Sequence, residues 1–318
     1  MCVCTLRLDY KQDVFMRLDG LIAAVHSPFD SHSELNLLAV EGQAKLMASQ
    51  GVSGVFICGS TGESHSLSVG ERMALGDRWL QVLQGSSIQP IIHVGSNSLR
   101  DSRQLAAHAE KIGAVAISAQ APSYFRPRNV SELCDWCVQI AAAAPRTPFY
   151  FYDIPVMTGV NLSMPDFLQL AGSRIPNLRG LKFTNQDLMS FQICQRLEGG
   201  RFDIAFGVDE MLLAALCLGA TGAVGSSYNF AAPIYLRLIA AFQRGDLQAA
   251  REEQYRSVQL IRQLAATGYM SSAREVMGWL GAPVGAPRQP HVPLTSEASA
   301  GLRRGLEELG FFDWVRSV

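Results

Sequence analysis

Residues 149–184 read FYFYDIPVMTGVNLSMPDFLQLAGSRIPNLRGLKFT. Two short apolar runs, 149–152 and 178–183, flank a stretch of helical spacing at 164–171, so the segment reads as one strand–helix–strand unit. Each run carries one reactive side chain, Tyr152 in the first and Lys182 in the second. A lysine in such a run is expensive to bury charged, because desolvation disfavours the ammonium. It is therefore paired, neutral, or there to do chemistry. A neutral lysine amine is a good nucleophile for a ketone carbonyl, and a tyrosine hydroxyl beside it is a suitable proton shuttle.

The same unit repeats outward in both directions. Apolar or β-branched runs at 21–25, 54–58, 90–94, 114–118, 149–152, 178–183, 203–207 and 222–226 give eight candidate strands. Helical patterns at 35–50, 68–83, 99–112, 130–144, 164–171, 187–197 and 209–218 lie between them. Continuous apolar strands alternating with amphipathic helices are the pattern of a parallel sheet covered by its crossovers. Eight such units predict an α/β protein with a (β/α)8 TIM barrel. The structural rival, a doubly wound sheet, carries a glycine fingerprint after its first strand. Here that position holds His26-Ser27-Pro28-Phe29-Asp30, with no glycine. After the eighth strand the alternation stops, and 234–243, 247–266, 271–280 and 296–309 all read as helical, with a Pro- and Gly-rich loop at 281–293. The expected organisation is a catalytic barrel over 18–244 and a helical extension over 245–318 packed on it.

Composition narrows the function classes. With 318 residues, 48% of them hydrophobic, the chain can bury a large core. A formal net charge of -1 gives no electrostatic reason to expect nucleic acid or an acidic membrane as partner. Residues 1–20 intersperse Arg7, Asp9, Lys11, Asp13, Arg17 and Asp19 among apolar residues, unlike a signal peptide. No stretch approaches the roughly 18–20 uncharged apolar residues of a membrane span, so the expectation is a soluble, cytoplasmic protein. Seven cysteines, an odd number in a large chain, argue against a disulfide framework. Cys134 and Cys137 form a C-x-x-C on a helical segment, which reads as two small buried thiols at i, i+3 rather than a redox or metal site; Cys2 and Cys4 stand near the start. The six histidines include no H-E-x-x-H, and no metal is expected. His93, inside a strand run, reads as a barrel-layer residue, and His65 follows the glycine turn without a role assigned to it.

In a barrel the C-terminal strand ends carry the chemistry. Strand two ends in Gly59-Ser60-Thr61-Gly62-Glu63, where two hydroxyls between glycines suit a carboxylate cradle, or an ordinary glycine turn leading to a helix cap. Tyr152 ends strand five, as a proton relay or a core aromatic, and Lys182 lies on strand six, as a nucleophile or a snorkelling cation. Strand seven ends in Gly207-Val208-Asp209-Glu210, acids that bind ligand or complement a helix start. Strand eight ends in Gly225-Ser226-Ser227-Tyr228-Asn229. Each tip alone is a weak signal, and five polar tips converging on one barrel mouth are a strong one.

These segments, G-S-T-G-E, Y-D-I-P-x-x-T-G-V, G-L-K-F-T, F-G-V-D-E and G-A-T-G-A-V-G-S-S-Y-N, resemble in order and spacing the N-acetylneuraminate lyase and dihydrodipicolinate synthase superfamily. The resemblance runs from about Leu21 to the C-terminal helices, and A-A-A-A-P-x-x-P-F-Y is similar to the lyase branch of animals in particular. It implies a class I aldolase that cleaves N-acetylneuraminate to N-acetylmannosamine and pyruvate, without metal or organic cofactor. Position by position, it implies that Lys182 forms the Schiff base, Tyr152 moves the proton, and Ser60 and Thr61 hold the pyruvate carboxylate. Gly207, Asp209, Glu210 and Ser226 match positions that hold the sugar's hydroxyl chain, and Thr184 one near its amide end. Tyr124, in A-P-S-Y-F, matches an aromatic lent by a neighbouring subunit, which implies a homo-oligomer, a tetramer by resemblance. Three departures stand out. The synthase branch carries an arginine shortly after the tyrosine, whereas this chain has Val156-Met157-Thr158-Gly159. Asp153 stands where lyases usually have Asn or His, and a carboxylate there is expected to raise the Tyr152 pKa or alter the substrate pocket. Ser27-Pro28 replaces the usual Thr-Pro and keeps a hydroxyl. The alternatives are a pyruvate-dependent aldolase of the same superfamily acting on another 2-keto-3-deoxy acid, and a non-catalytic barrel that only binds.

Overall fold

Eight parallel strands close on themselves in sequence order. They are β1 (Gly20–Ala24), β2 (Gly54–Ile57), β3 (Gln89–His93), β4 (Ala116–Gln120), β5 (Phe149–Asp153), β6 (Leu178–Phe183), β7 (Asp203–Phe206) and β8 (Gly222–Gly225). The computed structural model describes residues 17–316. Cys2, Cys4 and nearly all of the amino-terminal stretch read above as unlike a signal peptide lie outside those residues. Strand boundaries differ from the sequence reading by two residues at most, and β6 matches it.

Strand alternation sorts the side chains into two cores. Ile22, Ala24, Phe56, Ile91, Ala116, Tyr150, Tyr152, Ala205 and Val224 meet inside the barrel. Their neighbours Leu21, Ala23, Val55, Ile57, Leu181 and Phe183 face outward and pack under the helices. The barrel floor is closed by Asp203, whose Oδ2 accepts the Tyr150 hydroxyl at 2.9 Å and the Leu18 N–H at 2.7 Å. Close approach there requires glycine: a Cβ at Gly222 would lie 1.5 Å from the Leu18 carbonyl oxygen.

The crossovers are α1 (Val40–Ser49), α2 (Val69–Val82), α3 (Leu99–Ile112), α4 (Val130–Ala141), a single turn α5 (Pro155–Thr158), α6 (Met164–Arg174), α7 (Leu188–Arg196), α8 (Leu212–Cys217) and α9 (Tyr228–Gln243). Several starts carry side-chain caps, Ser68 forming a reciprocal capping box with Glu71 and Asn129 accepting from the Glu132 N–H. α9 begins six residues before the expected 234 and holds Pro233 within it. A break at Ala231 (φ −132°, ψ 16°) restarts the helix there, which puts Pro233 in the first turn of the new segment, where it is tolerated. The expected helix over 209–218 is instead a 3₁₀ turn, Asp209–Met211, followed by α8. The thiols of Cys134 and Cys137 are buried and free, and burial holds Cys137 well above the usual thiol range. Among the described residues no helix is long and apolar enough to cross a membrane.

Beyond the barrel come α10 (Leu247–Ala266), α11 (Tyr269–Trp279), α12 (Ser296–Leu309) and α13 (Phe311–Trp314). α10 lies along α9, and α11 sends Arg274 into the barrel rim. There its guanidinium pairs with Glu63, both side chains being almost wholly buried. Arg274 also donates to the carbonyl oxygens of Ser27 and Val284, each at 2.8 Å, and the second Glu63 oxygen accepts the Arg288 N–H at 2.9 Å. Glu63 adopts a left-handed backbone (φ 51°), a strained conformation for glutamate that these bonds hold in place.

Removing one member of a buried pair strands the other charge, which typically costs about 3–5 kcal/mol. Arg274→Met is therefore expected to lower the unfolding free energy obtained from urea titration by an amount in that range. A loss under about 1 kcal/mol, the scale of an exposed pair, would show that the bridge is not a structural brace.

Candidate active site

Lys182 sits near the C-terminal end of β6, directly beside Tyr152 of β5 and Ala205 of β7 in the strand register. Its side chain points into the barrel and is 3% exposed. Nζ lies 3.9 Å from the ring centroids of both Phe56 and Tyr152. The amine is thus held against two aromatic faces, a favourable but incomplete replacement for water. Burial pulls its pKa down to about 7, against an opposing pull from the Asp209 carboxylate. Near neutrality a large share of this amine is unprotonated.

The Tyr152 hydroxyl stands 3.4 Å from Ser60 Oγ, and its ring meets Phe56 and His93 edge-on at 5.6 and 5.8 Å. Burial pushes the phenol up to about 12, while the hydroxyls of Ser60 and Thr184 oppose the rise. Asp153 adds to that rise, in the direction expected from the sequence, as the smallest of its causes. Tyr152 is protonated at rest. His93 is fully buried as a barrel-layer residue: its Nδ1 lies 2.9 Å from the Cys58 carbonyl oxygen, and burial holds it well below the usual imidazole range. The turn bearing Ser60 and Thr61 is tied to β1's exit by Ser27, whose hydroxyl donates to the Gly62 carbonyl at 2.6 Å.

A cavity of about 460 Å³ opens between the ends of β5 to β8. Thr184, Gly207, Asp209, Glu210 and Ser226, named from the sequence, all line it. Two glycines make room: a Cβ at Gly207 would fall 2.0 Å from Thr184 Oγ1, and one at Gly225 2.0 Å from Asp209 Oδ1. Asp209 is buried, and its Oδ2 accepts the Ser227 N–H at 2.9 Å and the Ser227 hydroxyl at 2.5 Å. Burial nonetheless pushes that carboxyl up to about 6. Tyr124 is not among these residues; its ring is 79% exposed and stacks edge-on against Phe125 at 5.0 Å. Among the described residues no cluster of His, Cys, Asp and Glu is placed to share a metal ion.

Sequence reading missed several side chains of the site. Tyr269, from α11, lines the cavity and shares a 2.7 Å hydrogen bond with Ser226. Nothing local marks it, since the contact spans the break between barrel and C-terminal helices. Asn185 and Gln186 line the cavity directly after G-L-K-F-T, and their place at a strand exit was an available signal. Phe56 was visible only as an apolar strand residue.

The sequence pattern of the dihydrodipicolinate synthetase family matches residues 17–309. The chain is 37% identical over 302 residues to the N-acetylneuraminate lyase of Rattus norvegicus, covering 94% of each chain. Its fold superposes on Proteus mirabilis N-acetylneuraminate lyase with a TM-score of 0.90 at 41% identity, covering 93% of this chain and all of that one. A catalytic-lysine mutant of Ruminococcus gnavus sialic acid aldolase matches with a TM-score of 0.88 at 27% identity, over 94% of this chain and 99% of that one.

A lysine whose pKa falls from 10.5 unfolded to about 7 folded costs stability. The unfolded chain holds the proton between those pH values and the folded chain does not, so the cost is full below pH 7 and fades as pH rises toward 10.5. It amounts to about 4–5 kcal/mol at neutral pH. Lys182→Met, similar in volume and uncharged, is expected to raise Tm at pH 7 and to lose that advantage progressively toward pH 10. An unchanged or lower Tm at pH 7 would show that the amine is not buried at a cost.

Proposed function

The chain belongs to the dihydrodipicolinate synthetase family, and from that premise we propose that it is an N-acetylneuraminate lyase, a class I aldolase releasing N-acetylmannosamine and pyruvate. The observation that carries the reading is the Lys182 amine, buried between Phe56 and Tyr152 with its pKa drawn to about 7. A lysine so placed is a nucleophile near neutral pH. Its attack on the C2 ketone of open-chain N-acetylneuraminate, with loss of water, gives an iminium. Removal of the proton from the C4 hydroxyl then breaks the C3–C4 bond, and the electron pair moves into the iminium to leave an enamine of pyruvate. Protonation at C3 and hydrolysis return the amine.

Tyr152 is the relay in this scheme. A phenol near pKa 12 is protonated at rest, so it accepts the C4 proton only as it passes its own to the substrate carboxylate. Ser60, hydrogen-bonded to it, and Thr61 hold that carboxylate. Asp209, Glu210, Ser226 and the space left by Gly207 receive the hydroxyl chain, with Thr184 near the amide end. In the proposed organisation residues 18–244 are the catalytic barrel and 245–318 the extension that braces it. The buried free thiols suit a reducing compartment, and we place the protein in the cytoplasm as a homotetramer. Tyr124 and Phe125 are exposed, as are Val156 and Met157, and the two loops approach where Arg126 lies against Gly159. An apolar rim of this kind fits the face of another copy, from which Tyr124 would reach the neighbouring site.

Borohydride treatment with pyruvate is expected to add mass to the peptide containing Lys182, and pyruvate release should be greatest with N-acetylneuraminate among a panel of keto-deoxy acids. Tyr152→Phe should still be trapped while cleavage falls by about 10²–10⁴-fold. Labelling elsewhere, or turnover of the variant within about twofold of the parent, would overturn these roles. Light scattering at assay concentration should give four times the monomer mass, and a fully active monomer would remove both the tetramer and the lent tyrosine.

A further inference from the structure

Asp153 follows Tyr152 directly, yet it serves a different face of the strand. Tyr152 packs in the barrel interior, whereas Asp153 pairs in register with Phe183, which belongs to the outer layer. Its carboxylate is 3% exposed and forms no ion pair with a described residue. What it holds is Asn185, whose Nδ2 donates to Asp153 Oδ2 at 3.0 Å. The Asp153 carbonyl oxygen meanwhile accepts the Thr184 N–H at 2.8 Å. Asn185 Oδ1 in turn accepts the Asp187 N–H at 3.1 Å, and Asp187 caps α7 through the Ser190 N–H and hydroxyl at 3.0 and 2.6 Å. Residues 184–187 are thus strung between the end of β5 and the start of α7, and both polar atoms of the Asn185 amide are committed.

Three consecutive residues of that string, Thr184, Asn185 and Gln186, form one wall of the cavity facing Asp209 and Glu210. We infer that Asp153 is a positioning residue that sets this wall through Asn185 and so governs recognition of the polyhydroxyl end of the substrate without touching it. The inference rests on the lyase reading of the same site. A buried carboxylate with one side-chain partner is costly, and burial pushes Asp153 up to about 6. An acceptor kept at that cost is expected to be doing something a neutral packing residue would not, and the 184–187 wall is what it contacts.

The test compares Asp153→Ala, Asp153→Asn and Asn185→Ala with the parent in kcat and KM for N-acetylneuraminate, in borohydride trapping of pyruvate at Lys182, and in Tm. Asp153→Ala is expected to raise KM about tenfold, the size of one lost hydrogen bond, with kcat and pyruvate trapping within about threefold. Asparagine retains a carbonyl oxygen that can accept from Asn185, so Asp153→Asn should recover most of the lost KM. Asn185→Ala should match Asp153→Ala, and the double variant should be no worse than either. A KM unchanged in Asp153→Ala while the parent cleaves sialic acid overturns this inference alone. Loss of pyruvate trapping together with kcat overturns it too, by showing that Asp153 acts on Tyr152 or on the fold. A parent that traps pyruvate but cleaves no sialic acid overturns the lyase reading and this inference with it.

Discussion

Keeping one amine dry inside the barrel is the constraint on which the site depends. Lys182 has aromatic faces on two sides, and among the described residues the charge opposing its deprotonation is that of Asp209. Register supplies the rest: β5 and β6 pair Tyr152 with Lys182, so relay and nucleophile lie in one layer without any loop to position them. A site built on strands is held more precisely than one built on loops. The barrel floor, closed by Tyr150, Asp203 and Leu18, keeps water from reaching the amine from below.

The mouth is less self-sufficient. The Ser60–Thr61 turn leads into Glu63, whose left-handed backbone is held by Arg274 from α11 and the Arg288 N–H from the loop beyond. Tyr269, on the same helix as Arg274, reaches Ser226 at the tip of β8. One helix, α11, therefore reaches two parts of the rim, the Ser60–Thr61 turn through Arg274 and Glu63 and the tip of β8 through Tyr269.

The barrel itself was legible because its code is local. Eight apolar runs of four to six residues, separated by amphipathic spacing and capped by residues such as Ser68 and Asn129, leave few other architectures. The polar tips of β7 and β8, with Asp209, Glu210 and Ser226, were legible as strand exits, whereas Thr184 came from the family resemblance and Asn185 and Gln186 were passed over. The early start of α9 was not legible, because the break at Ala231 that lets Pro233 sit inside the helix has no sequence signature. Tyr269 and the Glu63–Arg274 pair were invisible because each joins segments far apart in the chain, and no periodicity records such contacts. Asp153 was legible only as a departure with two possible effects: neighbours in a strand face opposite ways, so its influence on the Tyr152 phenol is small, and its hydrogen bond to Asn185 could not be read from adjacency.

The desolvation that frees the Lys182 amine also sets a problem for the next step of the proposed reaction. An iminium formed from that amine carries the charge that the barrel interior disfavours. Two anions are placed to meet it. The substrate's own carboxylate, cradled at Ser60 and Thr61, arrives with the reacting ketone. Asp209, already acting on Lys182, has a carboxyl near pKa 6 and keeps one oxygen on Ser227, which in turn shares its hydroxyl with Tyr235 at 2.6 Å. Above about pH 6 that carboxylate is charged, and above about pH 7 the amine is mostly neutral. Only in the upper range does the site hold a nucleophile and a fixed counter-charge for its product together. In the proposed reaction the same buried acid that opposes deprotonation of Lys182 would favour the cationic adduct, so one charge bears on both states of the low-dielectric pocket.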